Sequence, residues 1–244
     1  MEYGPSSYGD SIADRYDDLY ENLFDTEATV TLLASYARGG RALELGIGTG
    51  RIALPLVERG VEVEGVDTSE AMVAKLRAKP GGEKIKVSFG NFVDPPVEGS
   101  FDLVYVPFNT LFALTTQEEQ VTCFAKVAEL LNEDGVFVLD AFVPDPTRFD
   151  RNQRISVESI DDGSIMIDAT RNDPNGQRSH SYHVILSQDG IEMHPVVVRY
   201  AWPAELDLMA RLAGLRLADR WANYRRDPFV ADSPSHVSVY ERGS

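Results

Sequence analysis

Gly46, Gly48 and Gly50 stand at alternate positions in the stretch RALELGIGTG, directly after a short apolar run. Glycines where a strand turns into a helix let the backbone bend sharply and approach a ligand closely. One acidic residue, Glu44, lies inside the run, and another, Asp67, ends the next apolar segment, VEVEGVD. An acidic group at the tip of a second strand accepts hydrogen bonds from both hydroxyls of an adenosine ribose. The chemistry indicated is therefore nucleotide binding, and the spacing narrows it. A dinucleotide fingerprint, G-x-G-x-x-G, needs its third glycine at position 51, which is Arg51.

Other reactive residue types are sparse. His180, His183, His194 and His236 are not spaced as a metal pair on a helix, and Cys123 is the single cysteine. A zinc site is not expected, and Cys123 reads as a small core residue. No G-x-S-x-G elbow, Walker loop or H-E-x-x-H is present. His183 and Tyr182, in a strand-like segment, are the candidate catalytic pair.

The elements that must position these groups alternate regularly. Ile12, Tyr16, Leu19, Tyr20 and Leu23 recur at helical spacing from Ser11, and a second helix is expected over 27–37. Strands are expected at 41–45, 61–67, 85–91, 101–108 and 135–142, with helices between them. This rhythm implies right-handed βαβ units and a parallel sheet, an α/β fold of the doubly wound, Rossmann-like kind. From about 154 to 202 the helical period disappears. Strand-like segments there are separated by Asp-Asp-Gly, Asp-Pro-Asn-Gly and Gln-Asp-Gly turns, which predicts an antiparallel meander of about four strands. A helix over 203–213 and a closing hairpin complete a single domain over 1–244, with the insertion at 150–202.

Hydrophobic-hydrophobic-Glu-hydrophobic-G-x-G-x-G resembles motif I of the class I S-adenosylmethionine (SAM) dependent methyltransferases. The resemblance covers roughly residues 41–142, and the N-terminus more loosely. It implies SAM as cofactor, with S-adenosylhomocysteine as product. Glu44, Gly46, Gly48, Gly50, Asp67, Thr68 and Met72 then belong to the cofactor set. The family often carries an Asp after strand three, where this chain has Asn91, followed by Phe92 to flank the adenine. Val106, Phe108 and Asn109, after strand four, would lie under the methionine part or face the acceptor. The segment ADRYDDLY resembles the part that caps the cofactor in many small-molecule methyltransferases. It implies a helical lid over 1–38, with Tyr16 at the cofactor and Tyr8 and Tyr20 toward the substrate. Arg51 can pair outward or with the cofactor carboxylate, and the outward salt bridge is the expectation. The Tyr-Asp rich N-terminus and the expected antiparallel insertion look like small-molecule methyltransferases, including the amino-sugar N-methyltransferases of antibiotic pathways.

A formal charge of -16 argues against a broad phosphate-binding surface. The start MEYGPSSYGDS has neither basic patch nor apolar core, and no apolar run reaches the length of a membrane span. The expectation is a cytoplasmic enzyme acting on a small molecule, with no nucleic-acid or membrane partner. It would move a methyl group to an N or O nucleophile, with C less favoured, and secondary metabolism is the expected setting. The rival readings are an NAD-dependent oxidoreductase and a non-catalytic SAM-binding regulator. The meander is expected to roof the acceptor pocket through Tyr182, His183, Arg199 and Trp202. Its alternative role is a homodimer contact through Val196, Val198 and Tyr200.

Overall fold

Five parallel strands, four of them apolar and the edge strand KVSF mixed, organise the chain in the computed structural model, which describes residues 3–20 and 24–243. Two short helices, α1 (Ser7–Ile12) and α2 (Tyr16–Tyr20), come first. They replace the single long helix expected from the spacing, and Leu23 lies outside the described residues. Helix α3 (Thr26–Ala37) is capped by Asp25, whose carboxylate accepts from the Ala28 amide at 3.0 Å.

Strands β1 (Arg41–Leu45), β2 (Glu62–Asp67), β3 (Lys86–Phe89), β4 (Phe101–Val106) and β5 (Leu131–Phe142) are mutually parallel. Between them run α4 (Ala53–Glu58), α5 (Glu70–Ala78) and α6 (Gln117–Leu130). Pro55 falls in the first turn of α4, where its missing N–H has no intrahelical partner to lose. Helix α6 starts on a reciprocal Thr116–Glu119 capping box.

After β5 the chain forms an antiparallel four-stranded sheet of β6 (Gln153–Asp161), β7 (Ser164–Asp173), β8 (Arg178–Ser187) and β9 (Gly190–Arg199). Helix α7 (Pro203–Leu212) follows, with Pro203 at its first position. The hairpin β10 (Leu215–Trp221) and β11 (Ser235–Arg242) then returns antiparallel to β5. The main sheet has the order β10-β11-β5-β4-β1-β2-β3. Both of its faces are covered. Leu43, Val104, Phe124 and Tyr240 pack on one side, and Ala42, Leu56, Leu103 and Val237 on the other. The order reverses between β1 and β4, so the crevice at their carboxyl ends is the place for a ligand.

Candidate active site

The carboxyl ends of β1 to β4 open into a cavity of about 260 Å³. Gly46, Gly48 and Thr49 line it after β1, Asp67, Thr68 and Ser69 after β2, Asn91 and Phe92 after β3, and Pro107, Phe108 and Thr110 after β4. Tyr3, Tyr8 and Tyr16 close it from the N-terminal segment, and Met72 adds to the wall.

The glycine turn is shaped by contacts distant in sequence. Gly46 has φ +76°, and a Cβ there would stand 2.7 Å from the Thr110 methyl carbon. The Gly48 amide donates to Asp67 Oδ2 at 2.7 Å, and the Ser69 amide donates to Asp67 Oδ1 at 2.8 Å. One carboxylate thus ties the β1 turn to the β2 turn. Burial raises the Asp67 pKa, against the amide donors that favour the charged form. Glu44 is buried and accepts from the Tyr105 hydroxyl at 2.9 Å. Burial pushes its carboxyl up to about 8, opposed by that hydrogen bond and by the Arg51 charge.

Among the described residues Arg51 makes no outward salt bridge of the kind expected of it. Its guanidinium carbon lies 3.8 Å from the Phe108 ring centroid and 4.9 Å from that of Phe24. Nη1 is 3.5 Å from the Thr26 hydroxyl, while Nε and Nη2 are buried without a hydrogen-bond partner among the described residues. A cation held by ring faces, with two donors left over at a cavity wall, is suited to an anionic ligand group.

Phe108 and Asn109 are consecutive residues in the left-handed region, each with φ +60°. The Phe108 amide and the Tyr224 hydroxyl both donate to Asp140 Oδ1, at 2.7 and 2.5 Å. Asn109 Oδ1 accepts from the Phe142 amide at 2.6 Å. Burial pushes Asp140 up to about 6, against its donors Tyr224 and Phe108.

At the opposite wall the Tyr8 and Tyr20 hydroxyls are 2.5 Å apart. Burial raises the pKa of each. The Tyr8 ring meets His183 edge-on, with centroids 6.2 Å apart. His183 Nε2 is 3.4 Å from Asp168 Oδ2. Burial alone would raise Asp168, but hydrogen bonds from His183 and Thr170 leave it lowered. The N-terminal segment is tied down by Ser69 Oγ donating to Asp10 and Thr49 Oγ1 donating to Asp17, both at 2.6 Å.

Residues 42–135 match the methyltransferase domain family. The N-terminal methyltransferase of cypemycin from a Streptomyces species is 29% identical over 98% of both chains. The solved CcbJ methyltransferase of Streptomyces caelestis is 37% identical and superposes with a TM-score of 0.91, over 99% of this chain and all of that one. This chain is a class I SAM-dependent methyltransferase. The SAM-bound amino pentose methyltransferase CalS10 of Micromonospora echinaspora shares the fold at 21% identity, with a TM-score of 0.70 over 93% of this chain and 96% of that one. The dehydrogenase and non-catalytic regulator readings fall away.

Within the methyltransferase the expected residues divide. Tyr8, Tyr16, Glu44, Gly46, Gly48, Asp67, Thr68, Met72, Asn91, Phe92 and Phe108 converge on the cavity. Asn91 does so with its side-chain oxygen already accepting from the Val93 amide at 3.0 Å. Gly50 does not reach the cavity. A Cβ on it would stand 2.3 Å from Leu76, so this glycine serves helix packing. Val106 is wholly buried in the core, and Asn109 is a latch to β5. Tyr20 stands behind Tyr8, and His183 touches Tyr8 without lining the cavity. Three expectations about the meander are corrected. Tyr182 is on its exposed face, Trp202 is exposed at the start of α7, and Arg199 is buried against Glu205 and Gln120. Of the residues named for an alternative subunit contact, Val196 and Val198 are partly covered and Tyr200 is buried.

Sequence reasoning passed over Tyr105, Asp140 and Tyr224. Asp140 carried one signal, a charge in the apolar strand GVFVLDAF. Tyr224, far along the chain, carried none.

No helix among the described residues is long and apolar enough to cross a membrane.

Proposed function

We propose that this methyltransferase moves the SAM methyl group to a nitrogen or oxygen nucleophile of a small molecule, with nitrogen favoured. The observation carrying the reading is the polarity of the cavity. Asp67 and the glycine turn are at one wall, Arg51 with two donors that have no partner among the described residues is at another, and Tyr8 with Tyr16 closes the mouth. SAM has a ribose diol and a carboxylate, and these residues fit both. In this reading Asp67 accepts from the ribose hydroxyls, Arg51 and Tyr16 hold the carboxylate, and Phe92 flanks the adenine. Gly46 and Gly48 keep the turn free of side chains.

SAM supplies an activated methyl group on a sulfonium centre. The chain's task is to align the acceptor and exclude water. An amine needs only to lose a proton and asks less of a positioned base, which suits a site where burial keeps the Tyr8 hydroxyl protonated and so unable to act as one. A hydroxyl acceptor would need a better-placed base. Support for nitrogen also comes from relatives, since cypemycin's enzyme acts on an N-terminus and CalS10 on an amino pentose by their names. Both names, together with the Streptomyces source of CcbJ, favour a role in secondary metabolism.

Incubation with methyl-labelled SAM and paired amine and hydroxyl acceptors of the same skeleton tests the acceptor class. Label in the amine alone is expected, and label in the hydroxyl compound alone would overturn the nitrogen preference. Asp67→Asn tests the cofactor assignment. Affinity for S-adenosylhomocysteine should fall by about 1–3 kcal/mol, because the charged acceptor is lost. Unchanged affinity would remove Asp67 from the ribose site.

A further inference from the structure

The two rings beside Arg51 are both tied to one distant turn, residues 222–227, which follows β10. The turn is braced by its own bonds. The Ala222 amide donates to the Asp227 carbonyl at 2.9 Å, and the Arg225 amide donates to Asn223 Oδ1 at 2.9 Å. A bridge between Trp221 and Pro228 closes its base. Two consecutive side chains reach from it toward the cofactor wall. The Tyr224 hydroxyl donates to Asp140 Oδ1, the same oxygen that accepts from the Phe108 amide. Arg225 Nε donates to Asp25 Oδ2 at 2.6 Å, and Asp25 directly follows Phe24. Neither Tyr224 nor Arg225 is among the residues lining the cavity.

The two arms differ in strength. The Arg225 side chain is 70% exposed, and ion pairs that face solvent contribute little. The Tyr224 arm is inside the fold. Burial and the neighbouring Asp140 charge hold the Tyr224 phenol well above its usual range, so it stays a donor. Its partner has a demanding task. Phe108 and Asn109 are both left-handed, which is costly for residues with a Cβ. One carboxylate oxygen holds the Phe108 amide in that turn, and Tyr224 fixes the rotation of the carboxylate. The Phe108 ring then lies against the Arg51 guanidinium.

We propose that Tyr224 is a positioning residue for the grip on the SAM carboxylate, acting on Arg51 through Asp140 and Phe108. The inference rests on the reading that Arg51 holds that carboxylate. Loss of the Tyr224 hydroxyl frees the Asp140 carboxylate to turn. The Phe108 turn relaxes, and the cation loses the ring that keeps it facing the ligand. Asp67 is at the other wall, so contacts to the adenosine do not pass through Tyr224.

Calorimetry with two ligands tests this. S-adenosylhomocysteine carries the amino-acid carboxylate, and methylthioadenosine carries the same adenosine without it. Tyr224→Phe removes one oxygen. It should weaken S-adenosylhomocysteine binding roughly five- to tenfold and leave methylthioadenosine within about twofold of the parent. Arg225→Ala should leave both ligands within about twofold. In an Arg51→Met background, Tyr224→Phe should cost nothing further, because the group it positions is gone. Equal weakening of both ligands would make Tyr224 a general packing residue and overturn the proposal. So would additive losses with Arg51→Met, an equal loss in Arg225→Ala, or an unchanged S-adenosylhomocysteine affinity in Tyr224→Phe. If Arg51→Met alone binds S-adenosylhomocysteine as the parent does, the reading of Arg51 fails first and this inference falls with it.

Discussion

The Arg51 guanidinium is 3.8 Å from the ring centroid of Phe108, a residue that itself sits at φ +60°. Each depends on the other. The left-handed turn puts the ring under the cation, and the ring keeps the cation at the cavity wall rather than in solvent. Arg51→Met retains much of the apolar stem and removes the charge. The expected result is a loss of S-adenosylhomocysteine affinity of about 1.5–3 kcal/mol, with little change in melting temperature. Calorimetry and thermal melting on the same sample check both parts, and an unchanged affinity would leave the cation a packing role only.

Glu44 produces a pH dependence of unusual sign. Its folded pKa of about 8 lies above the ordinary 4.5, so the folded chain holds a proton that the unfolded chain releases. The stability this contributes is complete below 4.5 and is lost as pH rises through about 8. Glu44→Gln should remain flatter over that window, because the amide does not titrate. Melting of the ligand-free parent and variant between those limits reads the difference, which is on the order of a few kcal/mol. Parallel curves would mean that Glu44 is charged when folded.

Arg199 answers to stability and not to the acceptor. Its donors reach Gln120 and Glu205 at 2.6 Å each, in the interior. Arg199→Ala leaves Glu205 and Gln120 without that partner and should cost about 3–5 kcal/mol. Turnover per folded molecule should hold. Denaturant unfolding and active-site titration separate the two, and a stable variant with lost turnover would return Arg199 to the acceptor site.

We expect the N-terminal segment to act as a lid. Ile12 is buried, and Asp10 and Asp17 hold Ser69 and Thr49 at the cavity rim. Many of these ties are surface ion pairs and hydrogen bonds around a small apolar contact, Ile12 with Ala13, so ligand should tighten them. Removing residues 1–20 should leave a folded domain that retains cofactor poorly. Hydrogen exchange at the Ser7–Tyr20 amides should slow on adding S-adenosylhomocysteine, and equal protection with and without it would rule the lid out.

Local pattern carried much of this protein. The glycine turn, the five apolar strands, the hairpin turns of the meander and the closing β10–β11 pair are each written within a few neighbouring residues, where propensity and periodicity act. So are most cavity residues, because strand ends in such a fold converge whatever the helices between them contain. What depends on long-range contact was not legible. Asp140 and Phe108 are 32 residues apart, and no local preference predicts that a buried carboxylate will hold a left-handed turn there. Arg51 lies against the faces of two rings, Phe24 and Phe108, which only the folded chain brings to it. Gly50 keeps the spacing of a ligand-binding glycine, yet the tertiary packing of Leu76 claims its open side. For the meander, a period of two defines a pair of faces but not which one turns inward. Docking against Tyr8 and the N-terminal segment decided that, placing Asp168 and His183 inside and the isoleucines out.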